Sequence, residues 1–195
     1  MSKKKDYSVE QKKRIFDDFF KIDEALVRHT RFDGEMSDAS RYLVFERGDS
    51  VAALLYNTDR KKLILINQFR FPTVDKENGW MMETVAGILE DGERPEEAIK
   101  REIIEETGYE AVRIEHVHTF FVSPGGSSER IILYYAEVND ASRRGDGGGV
   151  DASEDIEVLH IDPGEAFDQL EADHIRDAKT LIALMWFQRR VQEQP

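Results

Sequence analysis

The sequence predicts a mixed α/β fold in which helices pack on a mixed sheet. Two observations predict it. Apolar runs of strand length recur along the chain, and the helical segments do not alternate regularly with them, as they would in a doubly wound fold. The predicted strands are Tyr42–Phe45, Val51–Tyr56, Leu63–Phe69, Trp80–Val85, Val117–Val122, Ile131–Val138 and Ile156–Ile161.

Three helices are predicted from the residues at their boundaries. Pro95 suits the first turn of a helix that runs to Thr107, where Gly108 ends it. Two further helices begin at Pro163 and after Asp177, whose side chain is a plausible N-cap.

Composition narrows the class of protein. The chain has 195 residues, enough for one domain with or without a small appendage, and a net charge of −13 that argues against a nucleic-acid partner. It lacks the run of about 20 apolar residues that a membrane span needs, so no membrane partner is expected. The absence of cysteine favours a reducing compartment, and we expect a cytoplasmic protein. Residues 1–14 read as a solvated tail leading into a first strand or turn.

The stretch GILEDGERPEEAIKREIIEETGY, residues 87–109, places several glutamates on one predicted helix. At about 100° per residue, Glu102 and Glu106 fall on the same arc as Ala98 and Ile99, while Glu97 falls on the far side. Two carboxylates facing the sheet raise each other's pKa and cost stability unless a cation compensates them. Carboxylate oxygens select a hard ion, so the sequence predicts Mg²⁺, with Mn²⁺ as a substitute.

The same stretch resembles the Nudix box. The matching positions are Gly87, Glu93, Arg101, Glu102, Ile103, Glu105, Glu106, Gly108 and Tyr109. Tyr109 departs from the aliphatic residue usual at the end of the box. Other segments, among them LILINQFR, SPGGSSER and EDIEVLHID, resemble the branch that hydrolyses ADP-ribose and related nucleoside diphosphate sugars, as does Pro124.

The resemblance implies an α/β/α sandwich around a mixed sheet, preceded by an antiparallel strand region. It implies a boundary between residues 1–48, the N-terminal tail and strands, and residues 49–195, the Nudix hydrolase domain. In this branch the N-terminal strands cross to a partner subunit, so a homodimer is expected.

The resemblance also implies a metal site and an orienting residue. Glu102, Glu106, Glu154 and the backbone carbonyl of Ala86 would hold the metal ions. Arg101 would orient the glutamates through ion pairs.

Further residues are implied to bind substrate or to activate water. The implied substrate-binding residues are Phe19, Arg41, Tyr42, Arg70, Glu129 and Lys179. The general base is left open among Glu154, Asp151 and Glu129, because Ala152 occupies the place of a glutamate often found in ADP-ribose members. By composition, the glycine-rich segment from Ser142 to Asp155 is predicted to be a mobile loop that brings Glu154 to the substrate.

The predicted reaction is Mg²⁺-dependent hydrolysis of ADP-ribose to AMP and ribose 5-phosphate. GDP-mannose, or another nucleoside diphosphate sugar, is the alternative substrate, since EDIEV and IRDAKT resemble the GDP-mannose members. A sensor that binds a nucleotide sugar without cutting it is the alternative of another class.

Overall fold

The structure, a computed structural model, describes residues 5–150 and 154–193. The chain divides into two compact units. The first contains the residues up to Asp49 together with Phe121–Arg130, and the second contains Ser50–Phe120 and the residues from Ile131 onward.

The first unit contains a three-stranded antiparallel sheet of β1 (Tyr7–Asp17), β2 (Lys21–His29) and β3 (Ser40–Glu46), in that order. This sheet confirms the N-terminal antiparallel strand region that the resemblance implied. Strand β3 also confirms a strand predicted from its apolar pattern, whereas β1 replaces much of the expected tail and no apolar pattern predicted β2. Charge pairing across the strands explains both. Asp23 on β2 is buried and pairs with Lys12 and Arg14 on β1, at 3.3 and 2.9 Å.

The second unit is built on a seven-stranded mixed sheet. Its strands are β4 (Ser50–Asn57), β5 (Lys62–Phe69), β6 (Trp80–Glu83), β7 (Val85–Ile88), β8 (Arg113–Phe121), β9 (Arg130–Val138) and β10 (Ile156–Ile161). The main order is β10-β5-β4-β9-β8, with β6 paired to β5 and β7 paired to β4. Strands β4 and β9 are parallel, whereas β5 runs antiparallel to both β4 and β10.

The predicted strand Trp80–Val85 is two strands in the structure. The first of them, β6, pairs with β5 and ends at Glu83, whereas the second, β7, begins at Val85 and pairs with β4. Between them, the backbone N–H of Thr84 donates to Oγ1 of Thr180 at 2.8 Å, so this donor is satisfied by a helix side chain. The break turns β7 towards the first helix.

The described residues form three α-helices, α1 (Pro95–Thr107), α2 (Pro163–Glu171) and α3 (Ala178–Gln192), which confirms the predicted segments. One core contains Ile99 and Ile103 of α1, and a second contains Ala166 of α2 and Leu184 of α3. Helix α1 therefore packs on one face of the sheet and the other two helices pack on the opposite face, which confirms the α/β/α sandwich. None of the described helices is long and apolar enough to cross a membrane.

Candidate active site

Two glutamates of α1 face the sheet, as the helical wheel predicts. Ala98 and Ile99 are fully buried, Glu106 is 6% exposed and the Glu102 side chain is 13% exposed. Glu97 on the opposite side has a side chain that is 54% exposed. The helix thus buries Glu106, partly buries Glu102 and leaves Glu97 in solvent.

Strand β7 approaches these carboxylates closely. A Cβ at Gly87 would lie 1.9 Å from Oε1 of Glu102, so a larger residue there would force this carboxylate out of its position. The backbone N–H of Ala86 donates to Oε2 of Glu106 at 3.3 Å. The first glycine of the box therefore makes space for one of its glutamates.

The two carboxylates are held at a cost in free energy. Burial, together with the charge of Glu102, raises the pKa of Glu106 to about 8. Burial also raises the pKa of Glu102, although Arg101 opposes that shift. A cation bound between the two groups would offset this cost, because it favours both charged forms.

The oxygen donors fit a hard divalent ion that retains other ligands. Within residues 5–150 and 154–193, no three acidic or histidine side chains converge as a complete cage for a metal ion. Mg²⁺ needs only one or two protein carboxylates, because water molecules and substrate phosphates supply its other ligands.

Arg101 ties three acids of the box together. Its Nη1 lies 2.7 Å from Oε1 of Glu102 and 3.1 Å from Oε2 of Glu105, and its Nη2 lies 3.1 Å from Oε2 of Glu93. This geometry is consistent with the predicted orienting role, because it fixes the rotamer of Glu102.

The glycine-rich segment is attached to the C-terminal end of α1. The N–H groups of Gly148 and Gly149 donate to the carbonyls of Glu106 and Glu105 at 2.9 and 3.1 Å. These are carbonyls that a helix end leaves without an intrahelical partner. Up to Val150, the segment is thus attached to α1 by backbone hydrogen bonds, and residues 151–153 of the predicted mobile loop lie outside the described residues.

Glu154 lies near the end of this segment and within electrostatic range of the box. Its charge is among the causes that raise the pKa of both Glu102 and Glu106. Its Oε2 accepts a hydrogen bond from the N–H of Val150 at 3.0 Å. Asp151 and Ala152, which bear on the general base, lie outside the described residues.

A group of cations lies beside the carboxylates. Nε and Nη2 of Arg70 contact the two carboxylate oxygens of Glu83 at 2.9 and 3.0 Å. Nζ of Lys179 contacts Glu83 at 2.6 Å and Asp177 at 2.9 Å. Glu106 is one of the acids whose charge raises the pKa of Arg70, so this cluster adjoins the glutamates of α1.

Glu83 was not among the predicted site residues. It occupies a strand position in WMMETVAG, surrounded by apolar residues, and is only 3% exposed. The sequence did contain a signal for Glu83, namely an acidic residue inside an apolar strand. A carboxylate buried in this way requires charged or hydrogen-bonding partners.

Comparison with known proteins identifies the family. The NUDIX domain family matches residues 46–184, more than half of the chain. The chain belongs to the Nudix family. Two relatives are both described as GDP-mannose pyrophosphatase. The protein from Cronobacter sakazakii is 45% identical over 163 residues, covering 83% of this chain and 84% of the relative. The protein from Escherichia coli O1:K1 is 39% identical over 178 residues, covering 90% and 92%.

A solved structure described as "Crystal structure of ADP compounds hydrolase" has the same fold. It aligns with a TM-score of 0.73 over 96% of this chain and 95% of its own, at 17% identity. At that identity the likeness supports the Nudix fold alone. The family match and the two relatives make this protein a Nudix hydrolase, and hydrolases of this family generally need a divalent metal.

The remaining predicted Nudix site residues lie in the first unit. Phe19 is 77% exposed, whereas Phe20 packs on Phe45 with ring centroids 5.1 Å apart. Tyr42 is also exposed, and Arg41 pairs with Glu24. Their roles in substrate binding stay predictions.

Glu129 belongs to the same unit. It is 9% exposed, with Oε1 3.7 Å from Nε of Arg47. Its segment, SPGGSSER, is held by backbone hydrogen bonds between Gly126 and Phe45 and between Ser128 and Phe45. Its role as a general base or substrate ligand also stays a prediction.

Proposed function

We propose that this Nudix hydrolase cleaves the pyrophosphate bond of a nucleoside diphosphate sugar with Mg²⁺, and that GDP-mannose is the preferred substrate. One observation supports the chemistry most: the two inward-facing carboxylates of α1, one buried and one partly buried, lie near a cluster containing Arg70 and Lys179. Acidic groups that bind a metal next to cations that bind phosphate suit a substrate with two linked phosphates.

The residues of the site would have different roles in this reaction. Bound divalent ions would offset the charge of the pyrophosphate and lower the pKa of a water molecule. Glu102 and Glu106 would hold those ions, with Arg101 fixing Glu102. Arg70 and Lys179 would bind phosphate oxygens. A carboxylate would accept the proton of the attacking water, and Glu154, Asp151 and Glu129 remain the candidates.

The choice of substrate reverses the first expectation. SPGGSSER and Pro124 favoured ADP-ribose. The two relatives at 45% and 39% identity, both described as GDP-mannose pyrophosphatase, favour the alternative instead. Hydrolysis of GDP-mannose at its pyrophosphate would release GMP and mannose 1-phosphate.

ADP-ribose remains the second candidate because of those same sequence features. We expect kcat/KM for GDP-mannose to exceed that for ADP-ribose by about tenfold or more, a difference of about 1.4 kcal/mol in transition-state binding. Purified protein with MgCl2 would be given each sugar separately, and the nucleotide products separated by ion-exchange chromatography. A higher kcat/KM for ADP-ribose would restore the first expectation and reject GDP-mannose as the preferred substrate.

We also propose that the chain forms a homodimer through its first unit. Every residue of β1 is exposed in the single chain, including the large apolar residues Tyr7, Ile15 and Phe16. Exposed apolar groups on a strand favour burial against another chain. This supports the dimer expected from the family resemblance.

A further inference from the structure

Glu83 is a buried carboxylate shared by two cations. It ends β6, is 3% exposed, and receives Nε and Nη2 of Arg70 on its two oxygens at 2.9 and 3.0 Å. Nζ of Lys179 donates to Oε2 of the same carboxylate at 2.6 Å. The three groups come from β6, from the residue that follows β5 and from the first turn of α3, so Glu83 joins three separate parts of the chain.

The end of this cluster at α3 is fixed by further hydrogen bonds. Asp177 accepts from Nζ of Lys179 at 2.9 Å, and its other oxygen accepts from the N–H and Oγ1 of Thr180. Oγ1 of Thr180 in turn accepts from the N–H of Thr84, the residue after Glu83. The backbone around Glu83 is therefore locked to the beginning of α3.

The two cations differ in their contact with solvent. The side chain of Arg70 is 42% exposed and that of Lys179 is 13% exposed, whereas that of Glu83 is 4% exposed. Burial alone would raise the pKa of Glu83, but the hydrogen bonds from Arg70 and the charge of Lys179 outweigh it, and the pKa is lowered. A charged acid beneath two more exposed cations fixes their positions while remaining out of contact with solvent.

We infer that Glu83 is a positioning residue that holds Arg70 and Lys179 together as one binding site for the two phosphates of the substrate. The inference rests on the proposed function, because it assigns the cluster to a diphosphate. Contact with Glu83 uses one edge of the guanidinium group of Arg70, and the planar fork of arginine leaves other N–H groups for a phosphate.

The direct test replaces Glu83 by glutamine, which keeps the volume and removes the charge. In Glu83→Gln the amide turns an N–H group towards at least one cation, so the pair separates. We expect KM for GDP-mannose to rise about tenfold while kcat changes less than about threefold, since the loss is in phosphate binding. Glu83→Asp keeps the charge and should recover part of the loss.

Glu115 offers a matched control. Its carboxylate also bridges two cations, Arg113 at 3.1 Å and Arg190 at 2.9 Å, on a strand outside the cluster. Glu115→Gln should leave KM and kcat unchanged. A wild-type KM in Glu83→Gln, or a loss confined to kcat, would overturn the inference.

Binding of GDP and of guanosine, measured by titration calorimetry with MgCl2 present, separates the inference from the proposed function. We expect the affinity of Glu83→Gln for GDP to be about tenfold lower than that of the wild type, and its affinity for guanosine to be unchanged. If the wild type cuts no nucleotide sugar, the proposed function fails while the GDP result still decides the role of Glu83. If Glu83→Gln does not fold, Lys179→Gln and Glu83→Asp take its place. Wild-type GDP affinity in both would overturn the inference.

Discussion

Glu106 reduces the stability of the fold, although the proposed metal site requires it. Its carboxylate is buried beside that of Glu102, and its pKa rises to about 8. Arg101 compensates Glu102 directly, and no such ion pair with Glu106 is observed in the described part of the chain. A divalent cation would compensate both acids, so the metal should stabilise the fold as well as serve the reaction.

We therefore predict that MgCl2 stabilises the wild-type protein and that Glu106→Gln loses this effect. At about 100 times the dissociation constant, binding adds about 2.7 kcal/mol, which raises the Tm of a chain of this size by about 5–10 °C. Without metal, the variant should be at least as stable as the wild type, because glutamine removes both the cost of burying a carboxylate and its repulsion by Glu102. Thermal unfolding followed by circular dichroism, with EDTA and with MgCl2, measures both effects. An equal rise of Tm with MgCl2 in the two proteins would contradict this role of Glu106.

Single residues were predictable from the sequence where their chemistry is local. Glu102 and Glu106 lie four residues apart on one helix, so helical periodicity alone indicated that both face the core. Glu83 was not predicted because its partners are distant in the chain: Arg70 is 13 residues away and Lys179 is 96 residues away. Only the fold brings these three charges together.

At the scale of elements, the glycine-rich segment and α1 behave as one piece of structure. Gly147, Gly148 and Gly149 all have positive φ. A Cβ on Gly147 would lie 2.5 Å from the carbonyl oxygen of Glu106. The glycines thus allow the segment to approach the end of α1 closely, a geometry that other residues would strain. The prediction of a mobile loop rested on composition alone, which does not reveal the hydrogen bonds between this segment and α1.

We predict that Gly147→Ala destabilises the protein by about 1–3 kcal/mol, since alanine must adopt φ 73° and its Cβ meets backbone. Gly145→Ala is the matched control in the same segment, where a Cβ meets no atom within 4 Å. Urea unfolding of the two variants and the wild type gives the free energies. Equal stability of both variants would show that the attachment to α1 contributes nothing.

Buried strands were predicted correctly from their apolar sequence pattern. Strands that pair through charged side chains were not predicted from that pattern. The buried residues of β4 and β5 form nearly continuous apolar runs, which identified both strands. The basic first part of β1 was predicted to be a solvated tail, and β2 contains too many charged residues to show a long apolar run. Their pairing depends on contacts such as Arg14 with Asp23, which hydrophobic periodicity does not reveal.

At the scale of the whole molecule, the proposed function reconciles a net charge of −13 with an anionic substrate. The cations of the site, Arg70 and Lys179, are held by acids within the fold, and bound metal would add further positive charge. The resemblance to the Nudix box predicted the family and the α/β/α fold. The sugar stays a proposal, because SPGGSSER and Pro124 favoured ADP-ribose whereas EDIEV and IRDAKT favoured GDP-mannose.

The most direct test of this account is the metal-dependent release of GMP from GDP-mannose by three proteins: the wild type, Glu106→Gln and Glu97→Gln. Glu97 lies on the same helix with an exposed side chain, so its variant controls for the loss of one charge. We predict that the wild type and Glu97→Gln release GMP only with MgCl2, and that Glu106→Gln is slower by a factor of about 10² or more, since a metal ligand is lost. Release of GMP by Glu106→Gln at the wild-type rate, or by the wild type in EDTA, would contradict the assignment of the buried glutamates to a metal-dependent hydrolase.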